Sequence, residues 1–295
     1  MASKIVPLIP PHTVYVEPFA GGAAVFYAKQ NPSGNNGDSY REVLNDISGD
    51  LVSMYQVAKK NPNGFACSVK AIPFSAAILE ASKDRSGCSY CRAQKKYIRH
   101  NQSFAYFDGD SFARSSFRAN VAAIWKRRLP TVQSAAERLS DVFLDSIDAV
   151  QCIGAWDSPH TFFYVDPPYL GTDSFGLGKW DLENAFALVD ALNKAKGSWI
   201  VSGYNELRGL LGFKKMLSFQ TSCTASGEGR VGQGRNHGEP KCNTFDARTE
   251  RLFMRGPTHP VRSSLIPVLE KQTCFTGPLL GPCPLPLKTH PSARK

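Results

Sequence analysis

A short apolar strand that runs through a glycine turn into a helix constrains the fold of this 295-residue chain more than any other feature. Val14-Tyr15-Val16 reads as a buried strand, Glu17 to Gly22 as the turn, and Ala23 to Lys29 has helical composition. Glycines allow a tight turn and a close approach of a ligand to the backbone, and the start of the helix presents free N–H groups. The pattern predicts an α/β fold with a nucleotide-type site at this turn.

The turn differs from phosphate-binding turns in its glycine spacing and in its charge. Gly21 and Gly22 do not match the spaced dinucleotide fingerprint, and no Gly-Lys-Ser/Thr follows them. Glu17 would repel a pyrophosphate, yet it suits a cofactor that carries an ammonium and a sulfonium. The next predicted strand, Glu42 to Ile47, contains Asp46 near its end, where an acid can bind the two hydroxyls of a ribose.

A second motif, Asp166-Pro167-Pro168-Tyr169, follows the predicted strand Phe162 to Val165. The Asp166 carboxylate can accept a hydrogen bond from an amine, and the prolines hold the carbonyls of Asp166 and Pro167 as acceptors. The Tyr169 ring offers a face on which a flat ring can stack. The tetrapeptide alone is as typical of an ordinary proline turn. Together with the glycine turn it indicates a site for a flat ring that bears an amino group.

With these motifs in this order, the chain resembles the Dam-like DNA adenine-N6 methyltransferases, a family with an Asp-Pro-Pro-Tyr motif. The resemblance extends to about Arg255 and rests on Glu17 to Phe26, Asn45-Asp46 with the following Leu51 and Tyr55, Asn101 to Phe104 and Asp157 to Gly171. It implies an α/β, Rossmann-like methyltransferase sheet and S-adenosylmethionine as the cofactor. It also implies methyl transfer to the N6 amine of an adenine that is flipped out of double-stranded DNA.

The resemblance assigns roles to individual residues. The catalytic residues would be Asp166, Pro167, Pro168 and Tyr169. Those expected to bind the cofactor are Glu17, Phe19, Gly21, Gly22, Asp46 and Asp148. Within this set Asp46 would bind the ribose and Asp148 the cofactor adenine, although a solvated acid at a helix start explains Asp148 nearly as well.

The chain divides by composition into four segments. Residues 1–55 and 121–255 are predicted to form the catalytic domain. Residues 56–120 lack a βαβ rhythm and lie where the family keeps its target-recognition unit, so we expect a mostly helical insertion there. Residues 256–295 are rich in proline and lack apolar periodicity, which predicts a disordered tail.

The charge distribution is consistent with a nucleic-acid substrate. The formal net charge is +10, and residues 207–295 contain 14 Lys and Arg against 5 Asp and Glu. A basic soluble surface would give the same balance. Between residues 56 and 120, basic and aromatic side chains alternate in a way that suits a DNA groove, including Arg92, Lys95, Lys96, Arg99 and His100. DNA contacts are assigned to Ser103, Arg114 and Arg118.

Composition also limits location, metals and partners. Because the chain has no run of eighteen apolar residues and no signal-peptide core, we expect a cytoplasmic protein without a membrane span and with reduced thiols. Cys88-Ser89-Tyr90-Cys91 would need distant ligands to bind zinc, which favours a surface loop with two thiols and no metal. The expected partners are double-stranded DNA and, as an open option, a cognate restriction enzyme; the expected state is a monomer or weak dimer.

The start of the chain departs from the family pattern. Members begin with a Gly-Gly-Lys segment ahead of the first helix, whereas Met1 to Pro7 starts where that helix is already under way, and Lys4 does not match the family lysine. This predicts an N-terminal truncation or a misplaced start, with reduced activity. Two alternatives stay open: a methyltransferase for RNA or protein glutamine, which usually has Asn where this chain has Asp166, and an inactive DNA-binding remnant.

Overall fold

A computed structural model describes residues 1–29, 40–103, 111–113, 120–170, 180–203, 211–212, 215–222 and 247–256. The strands in these residues form one seven-stranded sheet in the order β3-β2-β1-β4-β5-β7-β6. They are β1 (Val14–Glu17), β2 (Arg41–Asn45), β3 (Val142–Asp145), β4 (Thr161–Val165), β5 (Ser198–Gly203), β6 (Lys215–Ser222) and β7 (Ala247–Arg255). The first five strands pair in parallel, and β7 runs antiparallel to both β5 and β6.

Helices connect the strands and cover the sheet. In chain order they are α1 (Ala2–Ile5), α2 (Ala24–Ala28), α3 (Gly49–Lys60), α4 (Pro62–Lys70), α5 (Ala76–Ser82), α6 (Ser89–Gln102), α7 (Val121–Arg128), α8 (Val132–Glu137), α9 (Ala149–Trp156) and α10 (Leu182–Lys194). Short 3-10 turns occupy Val6–Leu8 and Leu129–Thr131. The predicted α/β class, with a mostly parallel sheet, is confirmed.

The central strands are buried because both faces of the sheet are covered. All five residues of β4 are buried, as expected for an apolar run in a parallel sheet with helices on both sides. Phe162 packs in one apolar cluster with Tyr15 and Leu44, whereas Phe163 packs in a second cluster with Val16 and Trp199. Alternate residues of one strand therefore anchor the two halves of the core.

Helices α4 and α6 join the same core as the sheet. Phe65 in α4 and Tyr97 in α6 belong to the cluster that contains Phe162, and their rings meet edge to face at 5.9 Å. Both helices therefore pack in the core that the sheet forms, and an inserted target-recognition unit over residues 56–120 stays a prediction. In the described part of the chain, no helix is long and apolar enough to cross a bilayer.

Candidate active site

The parallel strands bring the predicted site residues to one edge of the sheet. Glu17 ends β1, Asp46 follows β2, Asp148 lies three residues after β3, and Asp166 follows β4. Since the carboxyl ends of neighbouring parallel strands lie at the same edge, four acids separated by up to 149 positions in the chain converge there.

Asn45, at the end of β2, holds the loops of this edge together. Its side-chain amide donates to the carbonyls of Pro18 at 2.9 Å and Ile147 at 3.0 Å, and its Oδ1 accepts from the Ile147 N–H at 3.0 Å. The Asn45 carbonyl accepts from the Ala20 N–H at 2.8 Å. One fully buried amide thus fixes the turns that follow β1 and β3.

The glycine turn leaves open space above its backbone. Gly21 has φ of +47°, a left-handed conformation that favours glycine, and a Cβ added there would meet no atom within 4 Å. The Gly21 N–H donates to Asp46 Oδ2 at 2.9 Å, and its carbonyl accepts from the Tyr55 hydroxyl at 2.6 Å. Half-buried Gly22 follows it in the turn. A ligand can therefore approach the backbone here without meeting a side chain.

Glu17 is a buried carboxyl with 1% of its surface exposed. Its Oε1 accepts from the Tyr15 hydroxyl at 2.6 Å and from the Phe26 N–H, in α2, at 2.8 Å. Loss of hydration raises the pKa of Glu17 to about 8, with a smaller contribution from the Asp166 carboxylate, against these two hydrogen bonds. The prediction that the N–H groups at the start of α2 are free is therefore partly wrong, because the Glu17 carboxyl accepts a hydrogen bond from the Phe26 N–H.

Asp46 is half-buried and structurally engaged. Besides Gly21, it accepts from the Ser48 N–H through Oδ1 at 2.9 Å. Burial raises the pKa of Asp46, while these hydrogen bonds and the nearby Lys96 oppose the increase. A carboxylate offers about four acceptor positions, so two hydroxyls of a ribose can still bind.

Asp166 is held from the neighbouring strand. The Ser202 hydroxyl, at the end of β5, donates to Asp166 Oδ1 at 2.5 Å. Although the residue as a whole is exposed, desolvation of its carboxyl raises the pKa of Asp166, and hydrogen bonds from Ser202 and Tyr164 oppose this. Pro167 is buried, Pro168 is half-buried, and the Tyr169 side chain is 41% exposed. The edge therefore presents a positioned carboxylate beside an accessible aromatic ring.

Two predicted cofactor residues flank this edge in different ways. The Phe19 ring meets Trp180 edge to face at 5.4 Å, which forms an aromatic wall that the sequence did not indicate. Asp148 is exposed and caps α9, since its Oδ1 accepts from the N–H groups of Val150 at 2.8 Å and Gln151 at 3.3 Å. The helix-start explanation of Asp148 therefore holds, and a cofactor contact stays a prediction.

The predicted DNA contacts receive less support. Ser103 is 2% exposed and its hydroxyl donates to the Arg99 carbonyl, so the side chain presents no surface to DNA. Lys96, Arg99 and His100 are also buried, which corrects their placement on a groove-contact surface. Arg114 and Arg118 lie outside the described residues.

Sequence reasoning missed the roles of two tyrosines. Tyr15 positions Glu17, and Tyr55 anchors the glycine turn from α3. A signal existed for Tyr15, because residues two apart in a strand point to the same face. No local pattern links Tyr55 to Gly21, which lies 34 positions earlier.

A sheet of this order, with acids at its strand ends and an Asp-Pro-Pro-Tyr motif, defines the class of α/β methyltransferases. The model of the D12 class N6 adenine-specific DNA methyltransferase family matches residues 1–204, and the chain belongs to this family. Membership makes the protein an enzyme of the DNA methyltransferase type, with a methyl donor of the S-adenosylmethionine type and a DNA substrate.

Similar solved structures are more distant. The rRNA methyltransferase aviRa from Streptomyces viridochromogenes is 12% identical in a 2.4 Å structure, with a TM-score of 0.32, over 85% of this chain and 81% of that chain. Its 1.5 Å structure is 10% identical, with a TM-score of 0.30, over 85% and 80%. No curated protein sequence matches the chain. At these TM-scores and identities, the two structures do not indicate the substrate of this protein.

Proposed function

We propose that this protein transfers a methyl group from S-adenosylmethionine to the N6 amine of an adenine flipped out of double-stranded DNA. The observation that carries the proposal is the Asp166 carboxylate, fixed by Ser202 at the same sheet edge as buried Glu17. One carboxyl suits the amine that reacts and the other suits a cationic cofactor.

The residues around the glycine turn fit the cofactor. S-adenosylmethionine supplies the methyl group when bound. Glu17, whose pKa of about 8 keeps it mostly neutral in the free protein near pH 7, would ionise as it pairs with the ammonium of the cofactor. Asp46 would accept from the ribose hydroxyls, and the open space above Gly21 gives room for backbone contacts. Phe19 would provide an apolar wall, and Asp148 would contact the adenine ring of the cofactor.

The Asp-Pro-Pro-Tyr segment fits the target base. The Asp166 carboxylate and the Pro167 carbonyl would accept from both N–H groups of the amine, which orients the nitrogen lone pair towards the methyl group. Asp166 need not be a strong base, because the amine proton becomes acidic only after transfer. Tyr169 would stack on the flipped base, a conformation needed because a base inside a duplex is unreachable.

The DNA contacts, the location and the oligomeric state of the enzyme belong to the same proposal. Ser103, Arg114 and Arg118 would lie along the DNA path, although burial of Ser103 argues against a direct contact by its side chain. A modification enzyme for cellular DNA would act in the cytoplasm as a monomer or weak dimer, and a cognate restriction enzyme stays an open option.

The test is transfer of tritiated methyl groups from S-adenosylmethionine to unmethylated duplex DNA at low salt. We expect label in N6-methyladenine for the wild type and a loss of about 10²-fold or more for Asp166→Ala. Asp190→Ala is the matched control, since Asp190 is an exposed acid in α10 that pairs with Lys194. Label in RNA or in protein glutamine, with none in DNA, would overturn the proposal.

A further inference from the structure

Two exposed cysteines at the start of α6 are not among the residues assigned to the cofactor, the target base or DNA. Cys88 is the N-cap of α6 and Cys91 lies in its first turn, so the predicted surface loop is instead a helix start. Their Sγ atoms are 3.1 Å apart, and Cys88 Sγ accepts from the Cys91 N–H at 3.3 Å. The described residues bring no group of three metal ligands together, here or elsewhere.

The backbone before Cys88 passes close to Cys91. Gly87 has φ of +107°, and a Cβ added there would lie 3.2 Å from Cys91 Cβ. A disulfide has an S–S distance of about 2.05 Å, so closure requires the sulfurs to move by about 1 Å. Both side chains are exposed, and no core packing opposes this movement.

The two thiols are chemically unequal. The Cys91 thiol stabilises the Cys88 thiolate, and with the Cys91 N–H it lowers the pKa of Cys88. The same hydrogen bond and the nearby negative charge of Cys88 raise the pKa of Cys91. Lys95, which pairs with Asp84 at 2.7 Å, has only a small effect, and on the Cys91 thiol. A thiolate stabilised at a helix N-terminus is the reactive form of cysteine.

We propose that Cys88 and Cys91 form a dithiol site that undergoes reversible exchange with low-molecular-weight disulfides. The Cys88 thiolate attacks one sulfur of the disulfide, whose S–S bond breaks and releases one thiolate. Cys91 then loses its proton and attacks the Cys88 sulfur of the mixed disulfide, which releases the second thiolate. The two cysteines lose two electrons, the small disulfide gains them, and the two cysteine protons end on the released thiolates.

The test uses the full-length chain in mixtures of reduced and oxidised glutathione, followed by acid quenching, iodoacetamide and trypsin. Both cysteines lie in one tryptic peptide, Ser86–Arg92, whereas exposed Cys67 lies alone in the peptide Asn61–Lys70 and serves as an internal control. We expect the first peptide to lose both alkylation sites together, with a mass lower by about 2 Da than the dithiol, and to regain them in reduced glutathione. Cys67 should give only a mixed disulfide.

Single variants test the order of attack. Cys91→Ser should accumulate glutathione on Cys88, and its thiol should react with iodoacetamide at pH 7 about three- to tenfold faster than the thiol of Cys88→Ser. Equal or reversed rates would overturn Cys88 as the attacking thiol. A Ser86–Arg92 peptide that keeps both sites open in every mixture, or that carries two glutathiones without ring closure, would overturn the proposal.

Discussion

The Asp166 carboxyl experiences two opposing effects. Desolvation favours its neutral form, whereas hydrogen bonds from Ser202 and Tyr164 favour the carboxylate. Only the carboxylate accepts hydrogen bonds with both oxygens, so the ionised form suits an amine donor. In the proposed mechanism, Ser202 would therefore position Asp166 and also set the fraction of its carboxyl that is ionised.

Removal of the Ser202 hydroxyl should move the pH dependence of methylation. Without this donor the pKa of Asp166 rises further. Because the proposed mechanism uses the Asp166 carboxylate, the loss of activity on acidification should then begin at a higher pH. In Ser202→Ala we expect the acidic limb of kcat/KM to move up by about 0.5–1 pH unit, the effect of a hydrogen bond worth about 1 kcal/mol. Ser68→Ala is the control, because the Ser68 hydroxyl donates to the Phe65 carbonyl within helix α4 and so tests the loss of a hydroxyl outside the strand ends. An unmoved limb in Ser202→Ala would contradict the role.

Glu17 should make the free protein less stable as pH rises. The pKa of Glu17 in the folded protein, about 8, lies above the ordinary value of 4.5. Its contribution to the free energy of unfolding is therefore fully present below pH 4.5 and is lost as pH rises through 8. Glu17→Gln keeps an oxygen acceptor for Tyr15 and Phe26 without the charge. Relative to the wild type, its free energy of unfolding should increase by up to about 1.4 kcal/mol per pH unit between these limits. Urea unfolding at pH 5.5, 6.5 and 7.5 measures this; a constant difference would show that the pKa is not raised.

The elements at the site were largely predictable, and the contacts between them were not. The strand before Glu17, the one before Asp166 and the helix after the glycine turn appear as predicted. Strand β6 was missed, because it has mixed polar and apolar residues and, among the described strands, lies at the edge of the sheet and pairs only with β7. Burial of Lys96 and Arg99 was also missed, since a charged helix face looks solvated until its tertiary partners are known.

The glycine turn should be sensitive to backbone conformation rather than to volume. Gly21 and Gly154 both have open space around an added Cβ, but only Gly21 has positive φ. Gly21→Ala should lower the free energy of unfolding by about 1–2 kcal/mol. Gly154→Ala, at an exposed position in α9, should raise it by up to about 1 kcal/mol. Denaturant unfolding compares the two, and equal effects would remove the argument from φ.

At the scale of the whole molecule, Glu42, Arg138 and Lys29 form a buried ionic cluster. It lies on the face of the sheet opposite to the core cluster that contains Phe163. Glu42 in β2 accepts from both terminal nitrogens of Arg138, at 2.6 and 2.7 Å, and pairs with Lys29 after α2. Burial opposes ionisation, yet these cations lower the pKa of Glu42. Arg138 also lies 4.0 Å over the Phe26 ring. Since Glu42 and Arg138 are 96 positions apart, no sequence pattern revealed the cluster.

The last two strands complete the fold beyond the family match, which ends at residue 204. Leu252, Phe253 and Met254 in β7 are fully buried, with Phe253 on one face of the sheet and the other two on the opposite face. Removal of three such side chains costs on the order of a domain's whole stability, about 5–15 kcal/mol. Both core clusters would open at once.

A chain that ends at Gly203 should therefore show no cooperative unfolding, whereas a chain that ends at Gly256 should unfold at the same temperature as the full-length protein. The second expectation follows from the proline-rich composition of residues 257–295, which predicts no contribution to a packed core. Circular dichroism melts of the three chains measure the transitions, and calorimetry with S-adenosylmethionine reports whether the site survives. A cooperative transition in the shorter chain would show that β7 is dispensable. A lower melting temperature of the chain that ends at Gly256, relative to the full-length protein, would show that residues 257–295 stabilise the enzyme.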